Sequence, residues 1–253
     1  MHILMSNDDG ILAPGLRDLA DYLASYHRVT VVAPTTEQSG KSHALTTEIP
    51  LTLDHYSDSE SNPNLYALKG TPTDCVKFGL SHLLPNDRPD LVISGINDGF
   101  NLGSDVLYSG TVSAAMEGCF YQIPSLALSV QSYTEERGRE MHAFIKDIID
   151  TIFIKHAFKG LLNVNFPKNS PCDWDHFKIV NQGLQTYSNI FDERVNTRGQ
   201  TYYWLAGTLD HRIEEYPTDV EYIRKGFITA VPLTWKQQND SDMEILKNIV
   251  KNV

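Results

Sequence analysis

Apolar residues in the opening segment follow a strand, helix, strand rhythm. Ile3-Leu4-Met5 is a short continuous apolar run. Leu16, Leu19, Ala20 and Leu23 then recur at helical spacing, with Pro14 placed for a first helical turn. Val29-Thr30-Val31-Val32-Ala33 is a β-branched run stopped by Pro34. Strands joined through a helix lie parallel, so the first two strands are expected to be parallel neighbours.

The same alternation continues. Leu51-Thr52-Leu53 and Leu65-Tyr66-Ala67-Leu68 read as short strands, possible partners in an antiparallel pair. Thr71-Pro72-Thr73-Asp74 opens a helix, with Thr71 as cap and Asp74 three residues on, a shorter form of the capping box. Asp90-Leu91-Val92-Ile93-Ser94 is a third parallel-type strand, and 95–110 is a glycine- and asparagine-rich loop. Val112, Ala115, Met116 and Cys119 mark the next helix, 125–130 a strand, and Met141, Phe144, Ile145, Ile148, Ile149 and Ile152 a long amphipathic helix. Leu162-Asn163-Val164-Asn165-Phe166 is a further strand. Residues 177–206 lose helical periodicity and read as aromatic-rich hairpins. Asp219, Val220 and Ile223 before Gly226 indicate a short helix, Phe227 to Val231 a last strand and Met243 to Val250 a terminal helix. The fold class is α/β with a mostly parallel sheet.

Composition narrows the function. Hydrophobic content of 41% and charged content of 21% suit a globular chain of 253 residues. The net charge of −11 disfavours a partner made of long nucleic acid. No apolar run approaches the ~20 residues of a membrane span, and no basic and hydrophobic leader precedes the first strand. Cys75, Cys119 and Cys172 are far apart and read as structural thiols in a reducing compartment. A cytoplasmic location is expected, with no membrane partner.

The candidate chemistry starts at Ser6-Asn7-Asp8-Asp9-Gly10. Adjacent acids in mid-strand point apart, but at a strand's carboxyl end, with Gly10 allowing a turn, both can converge. Like charges held close call for a cation or a proton. Ligands of open α/β sheets sit beyond the carboxyl ends of the strands. The loop after strand two brings Ser39, and the loop after strand three brings Asn97. Two carboxylates, an amide oxygen and a hydroxyl make an all-oxygen site suited to one Mg²⁺ or Mn²⁺. Tyr108-Ser109-Gly110-Thr111 precedes a helix whose free N–H groups and dipole favour an anion such as phosphate. A cation beside a phosphate cradle is the minimum equipment for phosphoester hydrolysis. His43 and Lys41 read as surface or packing residues. No nucleophile elbow, Walker lysine or dinucleotide fingerprint is present.

Ser6-Asn7-Asp8-Asp9-Gly10, Gly70-Thr71-Pro72-Thr73-Asp74, Ser94-Gly95-Ile96-Asn97 and Tyr108-Ser109-Gly110-Thr111-Val112 resemble the SurE family in order and spacing. These are stationary-phase survival proteins, metal-dependent nucleoside monophosphate phosphatases. Asn163 to Pro167, Arg198 to Trp204 and Thr218-Asp219-Val220 extend the resemblance over nearly the whole chain. It implies a Rossmann-like three-layer sandwich in one domain, with a core over about 1–175. From about 176 to 253 it implies hairpin and helix arms exchanged between subunits, giving a homodimer or homotetramer. It places one divalent metal per subunit on Asp8, Asp9, Ser39 and Asn97. Substrate and phosphate contacts fall on Asn97, Asn101, Ser109, Gly110 and Thr111. Asp98, next to Asn97, adds a charge that could bind a second cation or face solvent.

The resulting expectation is a 5′-nucleotidase that releases nucleoside and phosphate by direct attack of water, with Asp8 or Asp9 as the proton acceptor. Activity on 3′-nucleotides and polyphosphate stays open beside it. An aspartyl-phosphate mechanism lacks its usual two aspartates separated by one residue. The rival from another class is a nucleotide- or phosphate-binding regulator without turnover.

Overall fold

A computed structural model describes residues 1–57, 61–210 and 216–251. In chain order, β1 (His2–Ser6) is followed by α1 (Pro14–Ala24), β2 (Arg28–Pro34), β3 (Leu53–His55), β4 (Asn64–Leu68) and α2 (Pro72–Phe78). Next come β5 (Leu91–Asp98), α3 (Gly110–Phe120), β6 (Ser125–Val130), α4 (Glu135–Ile148) and β7 (Leu161–Phe166). The chain then forms β8 (Phe177–Ile179), β9 (Thr186–Val195), β10 (Thr201–Asp210), α5 (Asp219–Arg224), β11 (Ile228–Leu233) and α6 (Asp240–Lys251).

Nine strands form one sheet in the order β3-β4-β2-β1-β5-β6-β7-β11-β8. All pairings are parallel except β3 with β4 and β11 with β7. Successive residues of β1 serve opposite layers, as the pleat requires. Ile3 and Met5 join a core with Leu16, Leu19 and Leu23 of α1 and Met141, Ile145 and Ile148 of α4. Leu4 joins a second core with Cys75 and Val76 of α2 and Ala114 of α3. Helices thus cover both faces, giving the expected three-layer sandwich.

The helix starts follow local chemistry. Thr71 accepts from Asp74 N–H while the Asp74 carboxylate accepts from Thr71 N–H, a complete capping box with Pro72 in the first turn. The Thr71 hydroxyl also donates to Ala44 O at 2.7 Å. Thr71→Ala is expected to cost about 1–2 kcal/mol. Each kcal/mol lowers the thermal midpoint by roughly 2–4 °C in a chain of this size. Calorimetry checks this, and an unchanged midpoint would remove the cap from the account.

Three boundaries differ from the sequence reading. The strand at Leu51 begins at Leu53 and pairs with β4 in the antiparallel sense. The third parallel strand continues through Gly95 to Asp98, where glycine and asparagine suggested a loop. Its register against β6 shifts between Ser94 and Asn97, and pairing resumes as Asn97 with Ser129. Gly95 makes that shift possible: its φ is +124°, and a Cβ there would lie 2.3 Å from Leu128 O. Third, the division expected near residue 175 does not separate sheet from arm. β8 and β11 belong to the nine-stranded sheet, β11 sitting between β7 and β8. What stands apart is the two-stranded β9–β10 hairpin, whose β10 is exposed throughout, and α6, which buries no residue.

Candidate active site

β1 ends in a turn that the sequence builds for itself. The Asn7 side chain donates to Gly10 O at 3.0 Å and accepts from Gly10 N–H at 3.2 Å. Gly10 adopts φ +101°. This bracket holds Asp8 and Asp9 at the apex, beyond the carboxyl end of the strand. Ile11 N–H fixes the turn to Pro34 O at the end of β2.

The two acids sit in different surroundings. Asp8 is 4% exposed. Burial pushes its carboxyl up, against the opposing hydrogen bond from the Thr111 hydroxyl to Oδ1 at 2.5 Å. Asp9 is half-buried and is pushed up to about 6, first by burial and then by the charge of Asp8. Glu37 and Asp98 add to its negative surroundings. Both carboxyls are thus held towards the neutral form, chiefly by burial.

The other expected oxygen donors arrive from neighbouring strand ends. Ser6 pairs with Ser94 across β1 and β5, so the chain beyond each strand runs side by side. Asp98 N–H points to Asp9 Oδ2 at 3.4 Å. Asn97 gives its amide N–H to Gly99 O at 2.9 Å, which turns its side-chain oxygen away from that bond. The loop after β2 packs on the turn through Gln38 N–H, bonded to Asp8 O at 2.7 Å. Ser39 is exposed and donates its hydroxyl to Glu37 Oε1 at 2.7 Å, keeping oxygen lone pairs for a further partner. Carboxylate, amide and hydroxyl oxygens are the donor types that suit a hard divalent cation. Among the described residues no group of three or more His, Cys, Asp or Glu is placed to hold a metal. Asp98 Oδ1 accepts from Tyr133 N–H at 2.9 Å.

The start of α3 meets Asp8 directly. Ser109 caps the helix by accepting from Val112 N–H at 3.1 Å. Gly110 presses on the acid: a Cβ there would lie 2.8 Å from Asp8 Cβ and 3.0 Å from Oδ2. The Thr111 hydroxyl and backbone N–H both face Asp8. Asn101 is buried, and its amide donates to Ser129 Oγ at 2.8 Å and to Thr111 Oγ1 at 3.4 Å. Asp8, Asn101, Ser109, Gly110 and Thr111 therefore form one connected cluster, with Asp9 next to it in the chain; Asn97 and Ser39 join the turn only through their neighbours Asp98 and Gln38.

Several positioning residues were not predicted from the sequence. Asn163 and Asn165 of β7 both donate to Asn101 O, at 2.9 and 3.0 Å, and Asn165 Oδ1 accepts from Asn101 N–H at 2.8 Å. The alternate asparagines in an otherwise apolar strand were the available signal, since a polar pair on one face of a buried strand needs partners. Asp219, fully buried at the start of α5, accepts from Gly103 N–H at 2.9 Å and Gly183 N–H at 2.8 Å. It ties the loop beyond β5 to the base of the hairpin.

His43 does not reach this cluster in any recorded contact. Its Nε2 lies 3.0 Å from Glu117 Oε2, and its ring stacks on Phe120. Lys77 bonds the other Glu117 oxygen at 2.9 Å. Burial alone would push Glu117 up, but the hydrogen bonds from His43 and Lys77 outweigh it and hold the carboxyl below its ordinary 4.5. A carboxyl depressed on folding contributes stability above its unfolded value, lost as the pH falls through its folded value. Glu117→Gln is expected to flatten the acid limb of the stability curve below pH 4.5. Denaturant titrations from pH 7 to 3 check this. An acid limb as steep as wild type would leave Glu117 without that role.

A groove of about 850 Å³ at Met1, His2, Arg28 and Asp87 opens at the amino ends of the strands, on the opposite edge of the sheet. It does not share the carboxyl-edge cluster.

The fold and the site define an α/β protein with paired acids at the first strand end, beside the start of a helix aimed at one of them. The profile of the family described as Survival protein SurE matches residues 3–189. A 5'-nucleotidase SurE from Pelotomaculum thermopropionicum is 42% identical over 252 residues, covering 99% of this chain and 96% of that protein. One from Thermosynechococcus vestitus is 44% identical, covering 93% and 91%. The crystal structure of the SurE protein from Aquifex aeolicus superposes with a TM-score of 0.80 at 33% identity, covering 98% of this chain and 99% of that one. This chain belongs to the SurE family. Among the described residues no helix is long and apolar enough to cross a membrane.

Proposed function

We propose that this protein is a divalent-metal-dependent phosphomonoesterase, a 5′-nucleotidase that hydrolyses nucleoside monophosphates to nucleoside and phosphate. The observation that carries the reading is the contact between Asp8 and Thr111, at 2.5 Å, which joins the acidic pair to the amino end of α3. Relatives named 5'-nucleotidase SurE at 42% and 44% identity support it.

Asp8, Asp9, Ser39 and Asn97 would hold one Mg²⁺ or Mn²⁺ per subunit. Such an ion, when bound, supplies positive charge that polarises phosphoryl oxygens and lowers the pKa of a water. The remaining work falls to the chain. The Ser109 hydroxyl and the amino end of α3 at Gly110 and Thr111 offer donors and a favourable dipole to the phosphate oxygens. Asn101 and Asn97 border the same space. Asn163, Asn165 and Ser129 hold Asn101 rigid, which keeps Thr111 aimed at Asp8. Asp9 is the more open acid, and its Oδ1 takes the proton of the attacking water. Burial of Asp8 and its hydrogen bonds suit it to holding charge rather than exchanging protons.

The same reading includes a homo-oligomer, a homodimer or homotetramer. The support is the exposed apolar side chains on both faces of β10, Tyr203 (59% exposed) and Leu205 (72%) on one and Trp204 (61%) on the other. A cytoplasmic location belongs to it as well.

The test is phosphate release from a panel of nucleoside monophosphates with Mg²⁺, Mn²⁺ or EDTA. Release that requires metal supports the reading. Nucleotide binding without release under any metal makes the protein a regulator instead. A trapped phosphoenzyme would replace direct water attack by a covalent route.

A further inference from the structure

The 3₁₀ turn Gly103–Leu107 and the base of the β9–β10 hairpin enclose a cavity of about 700 Å³, within the size range of small-molecule sites. Tyr108 lines it and is 66% exposed. The next residue is Ser109, the cap of α3, so the Tyr108 backbone adjoins the proposed phosphate cradle, one Cα step of ~3.8 Å away. Leu184 and Leu205 add apolar walls. Tyr187, on β9, lines the cavity too, and its hydroxyl donates to Asp105 at 2.5 Å, which fixes its ring. Gly207 also lines it, close against β9: a Cβ there would come within 3.0 Å of Ser188 O and 3.3 Å of Tyr187 Cβ.

A planar apolar group carried close to a phosphate matches this shape. The neighbouring cavity of about 410 Å³ beside Val112, Met116 and Phe120 follows the outer face of α3 away from its amino end. We propose that the cavity at the hairpin base receives the nucleoside of the substrate, with the Tyr108 ring stacked on the base. The inference rests on the phosphatase reading above and adds the residues that select a nucleoside.

Tyr108 is exposed and its backbone, not its ring, makes the recorded turn bonds, to Asp105 O and from Ser42 N–H. Its replacement therefore spares the core. Base stacking on an aromatic side chain is strong enough that Tyr108→Ala should raise KM for adenosine monophosphate about tenfold, with kcat changed less than about twofold. Tyr108→Phe, which keeps the stacking face, should restore the wild-type KM. Ribose 5-phosphate carries the same ester without a base. Wild type should prefer adenosine monophosphate over it, and Tyr108→Ala should lose most of that preference. Equal kcat/KM for the two substrates in wild type would overturn the inference while leaving the phosphatase reading intact. So would a Tyr108→Ala variant that keeps the wild-type preference, or one that loses activity on both substrates equally. If wild type releases phosphate from neither, the phosphatase reading fails separately. Calorimetry with adenosine then decides the cavity: binding that Tyr108→Ala weakens supports it, and no binding to wild type overturns it.

Discussion

Asp8→Asn and Asp9→Asn are each expected to lower phosphate release from nucleoside monophosphates by about a thousandfold or more. Asparagine keeps the size of the side chain and one carbonyl oxygen, but removes the negative charge that a divalent cation needs. The site offers two carboxylates beside neutral oxygens, so each substitution removes half of the ligand charge supplied by the acidic pair. Metal affinity measured by calorimetry should fall in the same variants, tying the lost turnover to the lost ion. Folding should not suffer, because burial already pushes both carboxyls above their ordinary range. A neutral amide removes that conflict, so the thermal midpoint of the metal-free variant should match or exceed wild type. A variant retaining more than about a tenth of wild-type turnover would separate that acid from the chemistry.

Gly110→Ala has the second-largest expected effect, a loss of about a hundredfold in kcat/KM. In an open helix, alanine for glycine is stabilising by about 1 kcal/mol. Here the new methyl group would stand 2.8 Å from Asp8 Cβ and 3.1 Å from Pro72 Cγ. Pro72 is anchored by the capped start of α2, so Asp8 is the group that must move. Moving it disturbs both its bond to Thr111 and its place beside Asp9. Gly118→Ala, two turns further along α3, is the matching control. Its Cβ would meet Ser125 Oγ at 2.5 Å and Val92 Cγ2 at 2.8 Å, in the packing of helix on sheet. It should lower stability by about 1–3 kcal/mol and leave the activity of the folded fraction in place. If Gly110→Ala keeps wild-type kcat/KM, the close approach of α3 to Asp8 has no part in catalysis.

What could be read from the sequence followed the range of the interactions. The βαβ opening, the Thr71 cap and the turn at Asp8-Asp9 are set by residues within a few positions of one another, and their patterns are visible in order. The continuation of β5 to Asp98 was hidden because Gly95 and Asn97 resemble loop residues. Only the neighbouring Leu128 carbonyl shows why a glycine belongs inside the strand. The clamp on Asn101 joins residues 62 and 64 positions apart, and the Asp219 bond to Gly103 spans 116. No local spacing announces such pairs. The direction of β11 was equally illegible, because an apolar run says that a strand is buried and not which neighbour it meets. Ser39 was legible as a polar loop residue, while its bond to Glu37 needed the folded loop.

The placement of β11 between β7 and β8 has a consequence for the growing chain. A polypeptide leaves the ribosome amino end first, and domains commonly begin to fold as they emerge. Through Phe166 each parallel strand can dock beside one already made. β8 cannot, because its recorded partner in the sheet is β11, synthesised about fifty residues later. Until Ile228–Leu233 appears, the edge of β7 stays open. A chain halted just short of β11 would carry the acidic pair and the start of α3 on a nascent domain with an unprotected edge, a natural target for chaperones and proteases.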